Sequence, residues 1–453
     1  MRNLKRALSL ALAAIMLIGM MVVSASAASY NNLTDKDEIV NKDAVSMLVS
    51  LGIIEGKPDG SYGPTENVDR AQMAKMLSVI MNKGVDNSAL YQSVNSGLVD
   101  VNTNWAKGHI NYCYTTGIIA GRGNGKFDPS ATVTALEAAK MLLVAVGYDP
   151  KIEGFEGADW AINVSVRADE QGIFEGFTKD LSAPLNRDDA ALLIYNDVEM
   201  IQSYTTNNYP IVYSDHRTIL SDKYGVIKVE GVVTANEWAI LDDDTDTALQ
   251  EGKTRIYNPD GILSTTGNTA VAQDSSANVK TQVFNVSTPV DMLGKAVTMY
   301  VKKTTILADS TVYGAPVVSD VNTVIETGEK VTGGDSKDDD SLAALLKGTG
   351  LATDKATEYY HNYEEMAIDS ADVDDIMNVK GAALTVIDND NDGYVNYVIS
   401  VEKSLTHVSG VSSKNETTTL YGLPGDDVID NEDIVTTATD LTKGDVVLVV
   451  QYG

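Results

Sequence analysis

Two arginines in the sequence stand directly after residues that commonly cap a helix. Arg70 follows Asp69 and Arg187 follows Asn186, and each pair precedes apolar residues at helical spacing. The first turn of a helix presents unsatisfied amide groups and the positive end of the helix dipole, and a guanidinium can hold a carboxylate through two parallel hydrogen bonds. This pattern indicates a small carboxylate site, while a solvated surface arginine is the ordinary alternative.

A second candidate site is the acidic string DNDNDGY at residues 388–394. Asp388, Asp390 and Asp392 alternate as they do at the start of a calcium loop, but position twelve is Ile399 where an EF-hand has glutamate. The flanking runs ALTVID and YVNYVIS favour a tight hairpin that ends in Asp-Gly, and weak calcium binding is the alternative.

The sequence offers no obvious catalytic constellation. The four histidines, His109, His216, His361 and His407, are scattered, and the usual nucleophile, zinc-protease and phosphate-loop motifs do not occur. Cys113 is the single cysteine, and its apolar neighbours favour a buried core residue over a reactive thiol. We therefore predict that the protein is not an enzyme and assign no certain cofactor. Paired glycosidase carboxylates are close only in space, so they would not show in the sequence.

The segments around Arg70 and Arg187 belong to a repeated unit. GKPDGSYGP at residues 56–64 recurs 65 residues later as GRGNGKFDP, and a third, shorter copy repeats Trp105-Ala106 as Trp160-Ala161 at an offset of 55. Apolar spacing, a glycine stop and a turn-rich loop predict a helix, a loop and a second helix in each copy. The loop aromatics Tyr62 and Phe127 are expected to cover the core.

The second helix of each copy has a clear start signal. Asp69, Thr134 and Asn186 are good N-cap residues, and Gln72 and Glu137 stand three positions further on, as a capping box requires. The helix starts are therefore predicted at Arg70, at the residue after Thr134, and at Arg187.

These motifs resemble the S-layer homology domain, which usually occurs as three tandem copies near one end of bacterial surface proteins. The resemblance rests on the D-x4-W-A start, the G-I-I-x-G turn, the G-x-x-D-G-x-[FY]-x-P loop and the [TS]-R-A-E helix start, and it covers residues 30–203. It implies an all-α, three-pronged module with ligand grooves between the prongs. It also implies non-covalent attachment to a secondary cell-wall polysaccharide, commonly one that bears a pyruvate ketal.

The resemblance assigns polysaccharide binding to Arg70 and Arg187 together with their capping residues Asp69 and Asn186. Two further residues, Trp105 and Trp160, either stack on sugar rings or pack in the core.

Two positions depart from the family pattern. Copy two has Ala135 in place of the arginine, and copy one has Val40 in place of the tryptophan. We expect a groove that needs the arginine of copy two to be weak or silent.

Composition suggests what surrounds the repeats. The 453 residues suffice for several domains, and 64 acidic against 34 basic residues give a net charge of -30. This charge disfavours binding to nucleic acid or to an anionic membrane and makes cations such as calcium plausible partners. Residues 1–27 read as a secretory signal peptide with Ala25-Ser26-Ala27 at the cleavage site, and no later apolar run is long enough to span a membrane.

The expected organisation is multidomain. Repeats occupy residues 30–93, 94–157 and 158–203, and a β-rich domain follows at 204–330. An acidic linker with short helices is expected at 331–380 and a second β-rich unit at 381–453. A weak duplication, VEGVVTANE at 229–237 and VSGVSSKNE at 408–416, suggests that the β-rich parts are two small barrel or sandwich units.

The sequence thus predicts an extracellular bacterial surface protein that is anchored to cell-wall polysaccharide. Its acidic β-rich half would have a structural or interaction role, for example as an S-layer subunit that assembles into a lattice. The alternative is a wall-anchored enzyme that acts on polysaccharide, with its catalytic part in the C-terminal half or beyond residue 453.

Overall fold

The computed structural model describes residues 30–241, 248–262, 279–302, 310–327, 342–366, 382–422, 428–430 and 441–450. The expected signal peptide and the acidic run at 335–340 lie outside these ranges. The described residues divide into two compact units. The first is built from residues up to 229 with 299–302 and 310–315, and the second from the remainder.

The first unit contains three successive helix pairs joined by loops. The helices are α1 (Lys42–Ser50) and α2 (Arg70–Met81), α3 (Lys107–Thr115) and α4 (Ala135–Ala145), and α5 (Trp160–Glu170) and α6 (Arg187–Val198). A short hairpin of β1 (Ser203–Thr206) and β2 (Tyr209–Val212) follows. The predicted order of helix, loop and helix is therefore present three times.

The predicted helix starts are confirmed. The side chains of Asp69, Thr134 and Asn186 accept hydrogen bonds from backbone amides three residues later, and both expected capping boxes, with Gln72 and Glu137, are formed. The second helix of every pair thus begins at the same point of the repeat.

The loop aromatics lie in the core, as predicted. Tyr62 and Phe127 are fully buried. Asp35 accepts hydrogen bonds from the backbone N–H groups of Tyr62 and Gly63, both at 2.7 Å, and Asp100 makes the equivalent bonds to the amides of residues 127 and 128. The first acidic residue of a repeat therefore fixes the loop that follows it. Cys113 is buried among the apolar residues, as expected.

A closed ring of backbone hydrogen bonds joins the three helix pairs. Val68 donates to Leu185 (2.8 Å), Leu185 donates to Val133 (2.7 Å), and Val133 donates to Val68 (2.9 Å). Each residue stands two positions before an α-helix of its own pair and is buried. Because every member is both donor and acceptor, the three pairs are linked in a cycle rather than in a row.

The remaining described strands form three sheets. Their bounds are β3 (Val226–Asn236), β4 (Thr254–Tyr257), β5 (Thr281–Phe284), β6 (Ala296–Lys302), β7 (Val312–Val318), β8 (Thr323–Glu326), β9 (Glu358–His361), β10 (Glu364–Glu365), β11 (Ala382–Asp388), β12 (Tyr397–Glu402), β13 (Ser404–Ser412), β14 (Thr417–Leu420), β15 (Val428–Asp430) and β16 (Val446–Val449). Their orders are β5-β4-β3-β6-β7, β10-β9-β12-β11-β8 and β15-β14-β13-β16.

The expected internal duplication extends to strand order. VEGVVTANE lies on β3 and VSGVSSKNE on β13 and the loop after it, and the series β5-β4-β3-β6 has the same order as β15-β14-β13-β16. Two separate segments of the chain therefore pair their strands alike.

The sheet β10-β9-β12-β11-β8 differs from the expected organisation. The range 331–380, predicted as a linker with short helices, contains the five-residue helix α7 (Leu342–Leu346) but also supplies β9 and β10. Strand β8, from the range 204–330, pairs with β11 from the range 381–453. Strands of two to four residues are too short to show a clear period of two, which is why the sequence does not reveal them.

No helix in the described ranges is long and apolar enough to cross a membrane.

Candidate functional site

A surface pocket of about 190 Å³ lies within the first unit, and we call it groove 1. Loop residues 53–57 and the α2 residue Lys75 line one part, Trp105 stands at the start of the second helix pair, and Arg187 comes from the third pair. All three pairs thus contribute to one pocket.

Arg187 joins the third helix pair to the loop of the first. Its Nε donates to the carbonyl of Tyr62 at 2.8 Å, and a terminal nitrogen donates to the carbonyl of Glu55 at 3.0 Å. The guanidinium lies 4.7 Å above the Tyr62 ring, a cation–π distance. These two bonds leave three of the five guanidinium donors for other partners. Arg187 therefore holds the groove together and also faces it.

Arg70 makes the same contacts one pair further on. Its Nε donates to the carbonyl of Phe127 and a terminal nitrogen to the carbonyl of Ala120, both at 2.8 Å, and its guanidinium lies 4.4 Å above the Phe127 ring. The side chain is only 5% exposed. Burial lowers the pKa of Arg70 to about 10, so it remains charged at neutral pH. The predicted position at the helix start is confirmed, and the structure adds an interlocking contact between pairs.

The other predicted binding residues differ in their surroundings. Trp105 is 58% exposed and lines groove 1, whereas Trp160 packs partly against the core with the Lys140 ammonium 5.6 Å from its ring. Asp69 and Asn186 each accept a helix-capping hydrogen bond through a side-chain oxygen, so in the structure they stabilise the helix starts.

Charge in groove 1 is balanced locally. Lys75 forms an ion pair with Glu55 at 3.0 Å, and Lys57 pairs with Glu66. An anionic ligand would therefore compete with Glu55 for Lys75, and the lysine would be available only when that exposed pair opens.

The repeat offsets identify two sets of positions that are equivalent to groove 1. We define groove 2 by Phe127, Arg70, Lys140 and Trp160, which occupy the repeat positions of Tyr62, Arg187, Lys75 and Trp105. It therefore keeps an arginine, a lysine and a tryptophan.

Groove 3, the third equivalent place, loses all three side chains. Val40 replaces the tryptophan, Ala135 the arginine and Leu192 the lysine. The backbone amides at Val40 and Asn41 donate to Asp188 on α6, and Leu192 lies against the loop glycine Gly176. By repeat equivalence, the two departures visible in the sequence belong to the same groove, together with Leu192, which was not predicted. Aligning the three copies position by position identifies Leu192.

The acidic turn at 388–394 joins β11 to β12, so a hairpin is present, but residues 389–396 make its turn longer than a tight one. Carboxylate oxygens of Asp388, Asp390 and Asp392 lie within 4.8 Å of one another. Asp388 is buried and its two oxygens accept hydrogen bonds from three backbone amides of the turn. Partial burial, followed by the charge of Asp392, raises the pKa of Asp390. The main ligand candidate is therefore already engaged in holding the turn.

One group of catalytic residue types meets in the first unit although the sequence analysis left His109 unassigned. The Oγ of Ser78 lies 2.5 Å from Nδ1 of His109, and Nε2 of the histidine lies 3.6 Å from Asp86. Ser78 and His109 are 4% and 3% exposed, and the serine also bonds the carbonyl of Lys75 at 2.9 Å. A substrate could not reach this serine, so the group does not form a hydrolytic site.

Comparisons with known proteins agree with the repeat motifs. The sequence model of the S-layer homology domain matches residues 32–74 and 99–139. A cell surface protein of Thermoanaerobacter kivui is 28% identical over 269 residues, which are 58% of this chain and 32% of that protein. An S-layer protein of Bacillus licheniformis is 34% identical over 113 residues, covering 25% of this chain and 12% of that protein.

An enzyme also appears among the similar proteins. An amylopullulanase of Thermoanaerobacterium thermosulfurigenes is 30% identical over 172 residues, covering 35% of this chain and 9% of that protein. The chain thus spans about a third or less of each of these three relatives. It contains two segments that match the S-layer homology domain, within a helical region that precedes a β-rich region with several sheets.

Proposed function

We propose that this chain is a bacterial cell-surface protein whose helical unit attaches it, without covalent bonds, to a secondary cell-wall polysaccharide. The two matched segments and the cell-surface and S-layer relatives support this role. The observation that carries the proposal is groove 1, where an exposed tryptophan, a lysine and an arginine from three helix pairs border one pocket. A tryptophan face suits a sugar ring, and the cations suit an acidic substituent such as a pyruvate ketal.

Residues 158–203 are proposed as a third S-layer homology repeat that completes a three-pronged module. Support comes from the backbone ring through Leu185 and from Arg187, which makes the same two-carbonyl clamp as Arg70. Two features weaken its sequence signal. Phe155 stands where Asp35 and Asp100 hold the loops of the other copies, and the loop itself is shorter.

The three grooves are proposed to be unequal, with grooves 1 and 2 as the binding sites. Groove 3 offers neither a ring for a sugar face nor a cation for a carboxylate, because Val40, Ala135 and Leu192 replace those side chains. Each chain would therefore take two acidic sugar units, and their joint engagement on one polymer would strengthen attachment through high effective concentration.

The β-rich part is proposed to act outside the wall in a structural or interaction role, including assembly into a surface lattice. After removal of residues 1–27, the mature protein would be extracellular. A wall-anchored enzyme is the second candidate, favoured by the similarity to an amylopullulanase over 35% of this chain. Measurement of polysaccharide hydrolysis by the complete natural protein separates the two, since a lattice protein should show none.

Attachment is tested by sedimentation of residues 28–453 with purified cell-wall sacculi. Trp105→Ala and Trp160→Ala should each weaken co-sedimentation, and the double variant should abolish it. Val40→Ala is the matched control, because Val40 holds the same repeat position in groove 3 and is 82% exposed. Arginine variants are avoided because both arginines also clamp the fold.

The result that would refute anchoring is equal binding by the double tryptophan variant and the wild-type protein. Equal binding to sacculi stripped of their secondary polymer would refute the choice of ligand instead. Circular dichroism of each variant excludes loss of fold as the cause of lost binding.

A further inference from the structure

The buried pair Ser78 and His109 lies between α2 and α3, directly behind groove 1. The hydroxyl of Ser78 has one hydrogen and two neighbouring acceptors, Nδ1 of His109 at 2.5 Å and the carbonyl of Lys75 at 2.9 Å. A protonated imidazole fits this geometry too, because Nδ1–H can donate to the hydroxyl while the hydroxyl donates to Lys75. The site can therefore accommodate both protonation states of His109.

The other copies show that this pair is not required by the repeat fold. At the interface between the second and third helix pairs, the positions of Ser78 and His109 hold Leu143 and Val164. At the interface between the third and first pairs, they hold Tyr195 and Ala44. A helix interface that is filled elsewhere without a histidine carries one behind groove 1.

Three ionisable groups surround His109. Asp86 lies 3.6 Å from Nε2 and is half exposed, and Lys75 acts on the imidazole from α2. Cys113, one turn further along α3, is kept uncharged because burial raises the pKa of its thiol. Burial, aided by Lys75 and opposed by Asp86, lowers the pKa of His109. The imidazole is therefore neutral at neutral pH and gains its proton at a lower pH than an ordinary histidine.

His109 also touches a groove residue. The Trp105 ring meets it edge to face, with 6.4 Å between ring centroids and 64° between ring planes. Trp105 and Lys75 both line groove 1, and Trp105 contacts the imidazole while the charge of Lys75 acts on it. A change at His109 thus reaches Trp105 by contact and Lys75 through charge.

We propose that His109 is a pH-sensitive positioning residue that holds the Trp105 ring at groove 1 when neutral and releases it when protonated. The effect on attachment rests on the proposed glycan-binding function, whereas the effect on Trp105 does not. Protonation adds a charge that Lys75 repels and that Asp86, beyond Nε2, attracts. The imidazole therefore keeps its bond to Ser78 but shifts towards Asp86, and its edge contact with Trp105 weakens. Acidification should therefore loosen groove 1.

The ligand-free test uses Trp105 fluorescence in residues 28–453 carrying Trp160→Phe and Trp238→Phe, which leave Trp105 as the single tryptophan. Its emission and its quenching by acrylamide should change together on acidification, with a midpoint below the ordinary histidine value of about 6.5. His109→Gln should abolish this transition. Ser78→Leu with His109→Val, which copies Leu143 and Val164, keeps a filled interface and should abolish it too.

A flat titration overturns the proposal, and so does a transition that persists in both variants. The binding arm repeats the sacculus assay with Trp160→Ala, so that groove 1 alone is measured, at about pH 7.5 and at a pH below the midpoint found for Trp105. We expect roughly fivefold or greater weakening in acid, lost in the Ser78→Leu/His109→Val protein.

Equal weakening in that double variant would overturn the coupling to attachment. Absence of sacculus binding at both pH values, beside an intact Trp105 transition that needs His109, would refute the anchoring function and support the positioning role.

Discussion

Replacement of Arg70 by alanine tests whether the arginine is a clamp between helix pairs. The substitution removes two hydrogen bonds from a charged donor and leaves the carbonyls of Phe127 and Ala120 without those partners. It also removes the guanidinium from the face of the Phe127 ring. Because Arg70 is buried, water can replace these contacts only in part.

The magnitude follows from these contacts. A hydrogen bond to a charged group contributes about 1.5–3 kcal/mol, and a desolvated cation–π contact about 2 kcal/mol. Since neighbouring contributions do not add fully, we expect Arg70→Ala to lower the free energy of unfolding by about 3–5 kcal/mol. For a unit of this size that corresponds to a fall of roughly 6–20 °C in Tm.

The assay is thermal unfolding followed by circular dichroism at the helix signal. Arg122→Ala is the matched control, because Arg122 forms a partly exposed ion pair with Glu137 at 2.7 Å and should cost about 1 kcal/mol or less. Arg70→Lys should fall between the two, since lysine keeps the charge but cannot donate to two separated carbonyls at once. Equal Tm values for Arg70→Ala and Arg122→Ala would refute the clamp.

Three further predictions concern two carboxyls and groove 3. Asp197 is fully buried, neither of its oxygens has a hydrogen-bond partner among the described residues, and burial raises its pKa well above the ordinary value. Its penalty therefore grows as pH rises from about 4, so Asp197→Ala should raise the urea midpoint at about pH 8 more than at about pH 5. For Asp35, burial opposes the effect, but backbone N–H bonds prevail and lower its pKa. Its contribution is present above about pH 4 and lost as pH falls, so Asp35→Asn should reduce stability at neutral pH and converge with wild type in acid. In groove 3, Val40→Trp with Ala135→Arg and Leu192→Lys should raise the glycan fragments bound per chain, in equilibrium dialysis, from two to three.

Local chemistry made the helix starts predictable. Asp69 and Thr134 stand three residues before Gln72 and Glu137, and a capping box depends only on residues this close together. Tyr62 could be assigned to the core for a similar reason, because an aromatic in a turn-rich loop between two apolar helices has one apolar surface to cover.

The roles of the arginines required long-range information. Arg187 binds carbonyls of residues 55 and 62, more than a hundred positions earlier, and nothing in its own neighbourhood indicates this. The convergence of Val40 and Ala135 in groove 3 depends on the cyclic arrangement of the helix pairs in the same way. His109 and Ser78, 31 positions apart, also meet only through helix packing.

The ring formed by Val68, Leu185 and Val133 has a consequence for how this unit can change in evolution. In an open solenoid each repeat contacts only its neighbours, so units can be gained or lost at the ends. Here the third donor, Val133, bonds back to Val68, the first donor, so the cycle has no free end at which a fourth helix pair could be added. Deletion of one copy would leave two buried backbone groups unpaired. The number of helix pairs is therefore fixed by closure, and variation is confined to side chains, as Val40, Ala135 and Leu192 at the groove 3 positions illustrate.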